Sequence, residues 1–282
     1  MNVAILPYDF HLTGNLADVP LKALAWPLGA VEPSGTIGDL GPDDHLIHYP
    51  KSQYFTEMHT GIKCKISILI SEPFAITYTK YLLAIALQRR FHRIITHRPF
   101  MRRWTGNALV MPFGGSWVDP EFDPPFEKER NTSLIASAKR ALKGHALRHE
   151  IAQWCTKQDI DIDLLGLAYQ PIDKKEEGLA PYRYSVVIEN CREEGYFTEK
   201  LIDCMLCNTV PIYWGAPDIA KYFDTEGMVV CKTADALKQA IIDATPQAYE
   251  NRRQAIANNR TAALGFTNYE RNAAEQLLNV AR

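Results

Sequence analysis

The chain has 282 residues, 46% of them hydrophobic and 23% charged, with a formal net charge of −2. That balance is ordinary for a soluble globular protein of one large or two medium domains, and it excludes wholesale nucleic-acid binding through a general basic field. No run of about 18 apolar residues occurs, so no segment reads as a bilayer span, and MNVAILPYDF is too short and too poor in basic residues for a signal peptide.

In chain order, Asn2 to Pro7 reads as a first short strand, and Asp44 to His48 (DHLIH) as a second. KISILI, residues 65–70, is a buried strand that ends in Ser71-Glu72-Pro73. Helix formers run from Thr79 to Gln88, and short strands are expected at Arg93–Thr96 and Ala108–Met111. Arg89, Arg90, Arg93, Arg98, Arg102 and Arg103 cluster here; they read as solvated basic ends, or as a contact with anionic lipid or a phosphorylated substrate. The Pro- and Gly-rich stretch 113–131 is expected to link two domains.

Beyond it, strands are expected at Ser133–Ala138, Asp161–Gly166, Tyr184–Ile188, Thr209–Tyr213 and Met228–Cys231. Helices are expected at Lys143–Thr156, 198–208 and Pro217–Tyr222, with a mostly helical tail from Ala234. Strands alternating with helices imply an α/β fold with parallel sheets covered on both faces. Ligands of such sheets sit beyond the carboxyl ends of the strands. The segment VVIENCREEGYFTEKLIDCMLCNTVPIYWG, Val186 to Gly215, places Glu189 and Asn190 there. Thr198 then caps a helix whose first turn carries Glu199 and Lys200. A lysine at a helix start opposes the helix dipole by ~0.3 kcal/mol. The conflict makes sense if a phosphate binds at that end with Lys200 closing on it, while Glu199 takes the two hydroxyls of a ribose. Alternatively Glu199 and Lys200 form a solvated surface pair, and Glu189 and Asn190 are turn residues. Tyr196 offers a hydroxyl or simple packing. Arg148 offers a diphosphate its fork of donors or lies on the surface.

Other clusters read as bland. Cys204 and Cys207, spaced C-x-x-C in an apolar helical run, read as packed thiols rather than a zinc or redox pair. DPEFD (119–123) and DIDID (159–163) carry alternating acids without a metal reading, and His145 and His149 read as a solvated helix face.

The segment resembles the donor-binding region of glycosyltransferase family 10, the α1,3/4-fucosyltransferases, with the short bacterial members nearest in pattern. The likeness rests on Ile188-Glu189-Asn190, on Gly195-Tyr196-Phe197-Thr198-Glu199-Lys200, and on Thr209-Val210-Pro211-Ile212-Tyr213-Trp214-Gly215. It extends more weakly from about 133 to 232 and is thin in the N-terminal half. It implies a GT-B-like fold of two facing Rossmann-like domains: 1–125 on the acceptor side, 126–265 binding the nucleotide sugar, and a C-terminal helix at 266–282 packing back on the first. It implies an inverting, metal-independent transfer of fucose from GDP-fucose to a glycan hydroxyl, with no cofactor. Another nucleotide sugar, or a sugar-nucleotide-binding protein without activity, are the alternatives. Asn190, Tyr196, Glu199 and Lys200 match positions that hold the guanosine diphosphate, and Arg148 matches one that neutralises it. Glu189 lies near the transferred sugar, and Glu72 is the candidate general base. The resemblance further implies polysaccharide synthesis in the cytoplasm, with peripheral contact to a membrane or a lipid-linked glycan left open, as are the acceptor and the oligomeric state.

Overall fold

The computed structural model describes residues 1–29, 34–56 and 59–280. The chain divides into two compact units: Met1–Pro112 with the C-terminal segment from Tyr269, and Phe113–Asn268. Among the described residues no helix is long and apolar enough to cross a membrane.

The first unit is built on five parallel strands that lie side by side in chain order: β1 (Val3–Ile5), β2 (His45–His48), β3 (Lys65–Ile70), β4 (Ile94–Thr96) and β5 (Ala108–Val110). β3 buries every residue after Lys65, as a β-branched run covered on both faces does. Helix α1 spans Ser52–Thr56 and α2 spans Phe74–Ala86. The α2 helix starts five residues before the expected Thr79. Pro73 sets its entry, and Thr77 leaves helical geometry (φ −125°) while its hydroxyl donates to the Pro73 and Glu72 carbonyls. A local side-chain bond of this kind competes with the helix ladder, which hides the first turn from a periodicity reading.

In the second unit β6 (Arg130–Ile135) leads through α3 (Lys143–Lys157) to β7 (Asp163–Leu165) and then β8 (Tyr182–Ile188). Next come α4 (Glu199–Leu206), β9 (Val210–Trp214), β10 (Val229–Val230), α5 (Ala234–Ile242), α6 (Pro246–Glu250) and α7 (Arg253–Leu264). All pairings are parallel, in the order β10-β9-β8-β6-β7, so the winding reverses between β6 and β8. Alternate residues of β8 serve opposite faces. Val186 and Ile188 pack with Ile151, Ile212 and Leu237, whereas Val187 packs with Leu201, Cys204 and Ala263. Cys204 and Cys207 are free and fully buried, and burial raises both thiols. The expected helix at 217–222 is only a 3-10 turn, Ile219–Lys221. The expected link is part of this unit, with Val118 in its core.

The chain closes with α8 (Tyr269–Val280), which belongs to the first unit. There the Tyr49 hydroxyl, just past β2, donates to Glu270 Oε1 at 2.6 Å.

Candidate functional site

The reversal between β6 and β8 leaves a crevice at their carboxyl ends, the position where such sheets take ligands. A cleft of about 890 Å³ lies there, entirely within the second unit. That volume is in the range of small-molecule sites. Ser137 and Lys139 follow β6, His145 and Arg148 come from the start of α3, Asn190 follows β8, and Glu199 and Lys200 open α4. Lys175 enters from the turn between β7 and β8.

The turn after β8 is held by close backbone contacts. Gly144 donates its N–H to the Asn190 carbonyl at 3.1 Å, and a Cβ on Gly144 would collide with the Glu189 carbonyl oxygen. Only glycine lets α3 begin against this turn. Gly195 takes a left-handed φ of +67° and donates to Asp218 Oδ1 at 2.8 Å, which turns the chain toward Thr198.

Glu189 does not line the cleft. Its carboxylate is fully buried, with Oε1 accepting from the Thr198 N–H at 2.9 Å and Oε2 from the Thr198 hydroxyl at 2.8 Å. Burial raises its pKa, against the pull of Lys200 at 4.0 Å and of the Thr198 donors. The strand end is thereby clamped to the N-terminus of α4. The Thr198 hydroxyl also accepts from Lys200 Nζ at 3.1 Å, and Lys200 pairs with Glu199 at 2.9 Å. Burial tends to raise Glu199, but Lys200 and Lys175 outweigh it and hold the carboxyl below its ordinary value.

Arg148 is buried, with Nε donating to the Ile188 carbonyl and Nη2 to Asn190 Oδ1, both at 2.9 Å. Burial lowers its pKa, partly offset by Glu189 and Glu199, yet a guanidinium stays charged. Asn190 Nδ2 reaches the Tyr196 hydroxyl at 3.5 Å. Tyr196 is buried beside the cleft wall rather than on it. Arg148, Asn190, Glu199 and Lys200 thus converge on one cleft, with Glu189 and Tyr196 behind them. Glu72 lies in the other unit, half-buried at the carboxyl end of β3, where its carbonyl accepts from the Tyr81 hydroxyl at 3.1 Å.

Three features were not anticipated. Lys175 is half-buried and makes no hydrogen bond or ion pair among the described residues, and burial lowers its pKa. Its only sequence signal is a Lys-Lys-Glu-Glu run, 174–177, with no periodicity. His145 and His149 are buried, not solvated: His145 faces the cleft, and His149 bridges the Tyr169 hydroxyl (3.0 Å) and the Lys139 carbonyl (3.2 Å). Burial, then Arg148, lowers His145. Asp203 of α4 accepts on Oδ1 from the Ser116 hydroxyl, the Trp117 N–H and the Val118 N–H at 2.9, 2.8 and 3.2 Å, fixing a further wall of the cleft. Among the described residues no group of three or more His, Cys, Asp or Glu is arranged to hold a metal, and Asp163 pairs with Arg130 at 2.9 Å.

The arrangement suits an anion bearing a diol. Buried and half-buried cations favour phosphate oxygens, and Glu199 offers a paired acceptor. Residues 127–236 match the model of the C-terminal domain of glycosyltransferase family 10 (fucosyltransferase). The chain is 41% identical over 58 residues to an α-(1,3)-fucosyltransferase of Helicobacter pylori, covering 21% of this chain and 12% of that one. It is 25% identical over 194 residues to a putative fucosyltransferase-like protein of Arabidopsis thaliana, covering 65% and 36%. These matches span well under half the length of either relative. In fold, the chain is similar to a crystal structure of an α1,3-fucosyltransferase with GDP-fucose, with a TM-score of 0.50 at 18% identity over 78% of this chain and 71% of that one. The architecture is GT-B.

Proposed function

We propose, from the premise that residues 127–236 belong to glycosyltransferase family 10, that the chain transfers fucose from GDP-fucose to a hydroxyl of a glycan acceptor, with inversion and without a metal ion. The observation that carries the reading is the convergence of Arg148, Lys175, Lys200 and Glu199 on one cleft at the switch point of the second sheet. In this reading Lys200, Arg148 and Lys175 hold the diphosphate, Glu199 accepts from the ribose hydroxyls, and Asn190, backed by Tyr196, orients Arg148. Glu189 fixes the start of α4 rather than touching the sugar.

Glu72 serves as the general base. Its carboxylate takes the acceptor hydroxyl's proton as that oxygen bonds to the anomeric carbon. The bond from that carbon to the β-phosphate oxygen breaks, its electron pair leaving with GDP. Charge grows on the phosphate, where Lys200, Arg148 and Lys175 stabilise it. One displacement inverts the anomeric configuration.

The test is calorimetric titration in EDTA with GDP-fucose, GDP, GDP-mannose, UDP-glucose and a CMP-sugar, followed by transfer assays. Selective binding of GDP-fucose and GDP is expected. A preference for UDP-glucose or the CMP-sugar overturns the donor but keeps the transferase reading; silence with every ligand from a folded protein overturns both. Glu72→Gln is expected to abolish transfer while leaving GDP affinity unchanged. Retained transfer would remove Glu72 from the base role.

A further inference from the structure

Helix α2 has an unusual exterior. Every exposed residue on it is uncharged, and Ile76, Tyr78, Leu82 and Leu83 form most of that face, with Ile76 42% and Leu82 54% exposed. Lys80, the only charged residue of the helix, is half-buried and donates to the Ser52 hydroxyl. A helix on a water-facing surface ordinarily presents a polar stripe outward.

The apolar face continues sideways. The Arg98 guanidinium lies 4.8 Å from the Phe74 ring and 5.8 Å from the Phe100 ring, and Phe100 packs on Trp104 at 5.8 Å. The Trp104 carbonyl accepts from Gln88 Nε2 at 3.2 Å, which ties the ridge back to the end of α2. Phe100 and Trp104 are themselves exposed, at 43% and 56%. Along the chain beyond Glu72, at the start of α2, the charge has one sign. From Pro73 to Pro112 the sequence has seven Lys and Arg and no Asp or Glu, in a chain whose net charge is −2. Arg89, Arg102 and Arg103 are exposed and form no ion pair among the described residues.

We propose that this face of the first unit docks on an anionic phospholipid bilayer, with Ile76, Leu82, Leu83 and Trp104 entering the headgroup region and Arg89, Arg102 and Arg103 meeting lipid phosphates. An apolar face rimmed by cations and carrying an exposed tryptophan is the pattern of an interfacial surface. The one-signed rim selects an anionic lipid surface over a second copy of the chain, whose matching face would bring arginines against arginines. The uncharged face argues against nucleic acid, which would leave Leu82 and Leu83 in water.

The experiment is co-sedimentation of the full chain with vesicles of phosphatidylglycerol and phosphatidylcholine, and with phosphatidylcholine alone, at low and high salt. Sedimentation velocity without lipid runs alongside. The parent protein is expected to be monomeric and to bind only the phosphatidylglycerol vesicles, less tightly at high salt. At ~1 kcal/mol per surface arginine, Arg102→Gln with Arg103→Gln weakens binding roughly 30-fold. Leu82→Gln with Leu83→Gln weakens it about tenfold by removing inserted apolar area. Because all four side chains are exposed, circular dichroism melting of both variants should match the parent. Absence of binding, or equal binding to both vesicle types, overturns the proposal. So does a dimer that the leucine variant dissociates, which would make the face a subunit interface. Loss with the arginine variant alone also overturns it, because a plain polyanion contact would then suffice.

Discussion

Glu189→Ala separates a positioning role from a chemical one. Two hydrogen bonds, at 2.9 and 2.8 Å, join the Glu189 carboxylate to the Thr198 N–H and hydroxyl. Bonds to a charged partner contribute ~1.5–3 kcal/mol each. Part of that sum returns on truncation, because a carboxylate whose burial raises its pKa is removed. A net loss of about 3 kcal/mol results, and for a unit of this size that lowers the melting temperature by roughly 6–12 °C. Glu189→Gln keeps the shape: the amide oxygen accepts the Thr198 N–H and the amide NH2 donates to the hydroxyl, so a loss of about 1 kcal/mol is expected. Thermal melting by circular dichroism reads both variants, and calorimetry with GDP reads the donor site. GDP affinity should fall with alanine, because the start of α4 that carries Glu199 and Lys200 is no longer clamped to the end of β8, and stay near the parent value with glutamine. A Glu189→Ala protein that melts within about 2 °C of the parent, binds GDP normally and fails to transfer sugar would refute the clamp and place the carboxylate on the substrate.

Lys175→Met and Lys200→Ala should each weaken GDP binding ~10–100-fold through loss of a charge-assisted phosphate bond, with Lys175→Met leaving the melting temperature unchanged or raised; unaltered affinity in calorimetry removes the residue from the site. Glu199→Gln should weaken GDP binding yet leave inorganic pyrophosphate binding equal or tighter, since Lys200 is released from its partner; a parallel loss with both ligands refutes the assignment of Glu199 to the ribose. Burial, joined for His45 by the nearby His92 and Lys65, brings His45 and His48 down to about 4 from 6.5. The folded state therefore binds fewer protons than the unfolded one between pH 6.5 and about 4. Stability is full above that window and falls as pH drops through it, by ~3 kcal/mol for each histidine. Urea unfolding at pH 7.5 and 5 reads the change, and His45→Gln should flatten it; a parent protein equally stable at both values refutes the burial argument.

The second unit was the more legible in sequence because its signals are local. VVI and TVPIY are short β-branched runs that end on polar residues, so strand and rim are visible together. Thr198 before Glu199 reads directly as a cap, and it does accept from the Lys200 N–H. What stayed hidden was distant in sequence. Asp203 gathers Ser116, Trp117 and Val118 from a stretch that composition assigns to a link, and Lys175 reaches the cleft from a turn with no periodic pattern. In the first unit the strand DHLIH was legible, but the burial of His45 and His48 inside it was not, because a histidine shows no period that distinguishes a neutral core ring from an exposed one. The apolar exterior of α2 misled in the same way. With Ile76, Tyr78, Leu82 and Leu83 exposed as well as Tyr81 and Ala84 buried, the apolar residues of α2 do not mark its buried face.

The lysine at the start of α4 resolves differently from its first appearance. The helix dipole disfavours Lys200 there by a few tenths of a kcal/mol. Glu199 at 2.9 Å and the buried Glu189 at 4.0 Å supply opposite charge at closer range, so the cation is tolerated without a ligand. Lys200 and Glu199 satisfy one another at 2.9 Å. In the proposed complex each exchanges its partner for a ligand group, phosphate for Lys200 and ribose hydroxyls for Glu199. Neither side chain is then left buried and unpaired in either state, whereas Lys175, which makes no hydrogen bond or ion pair among the described residues, gains one on binding. Among the cleft cations whose contacts are resolved, Lys175 has the most to gain from a diphosphate, and Arg148, already held by Ile188 and Asn190, the least reorganisation to make.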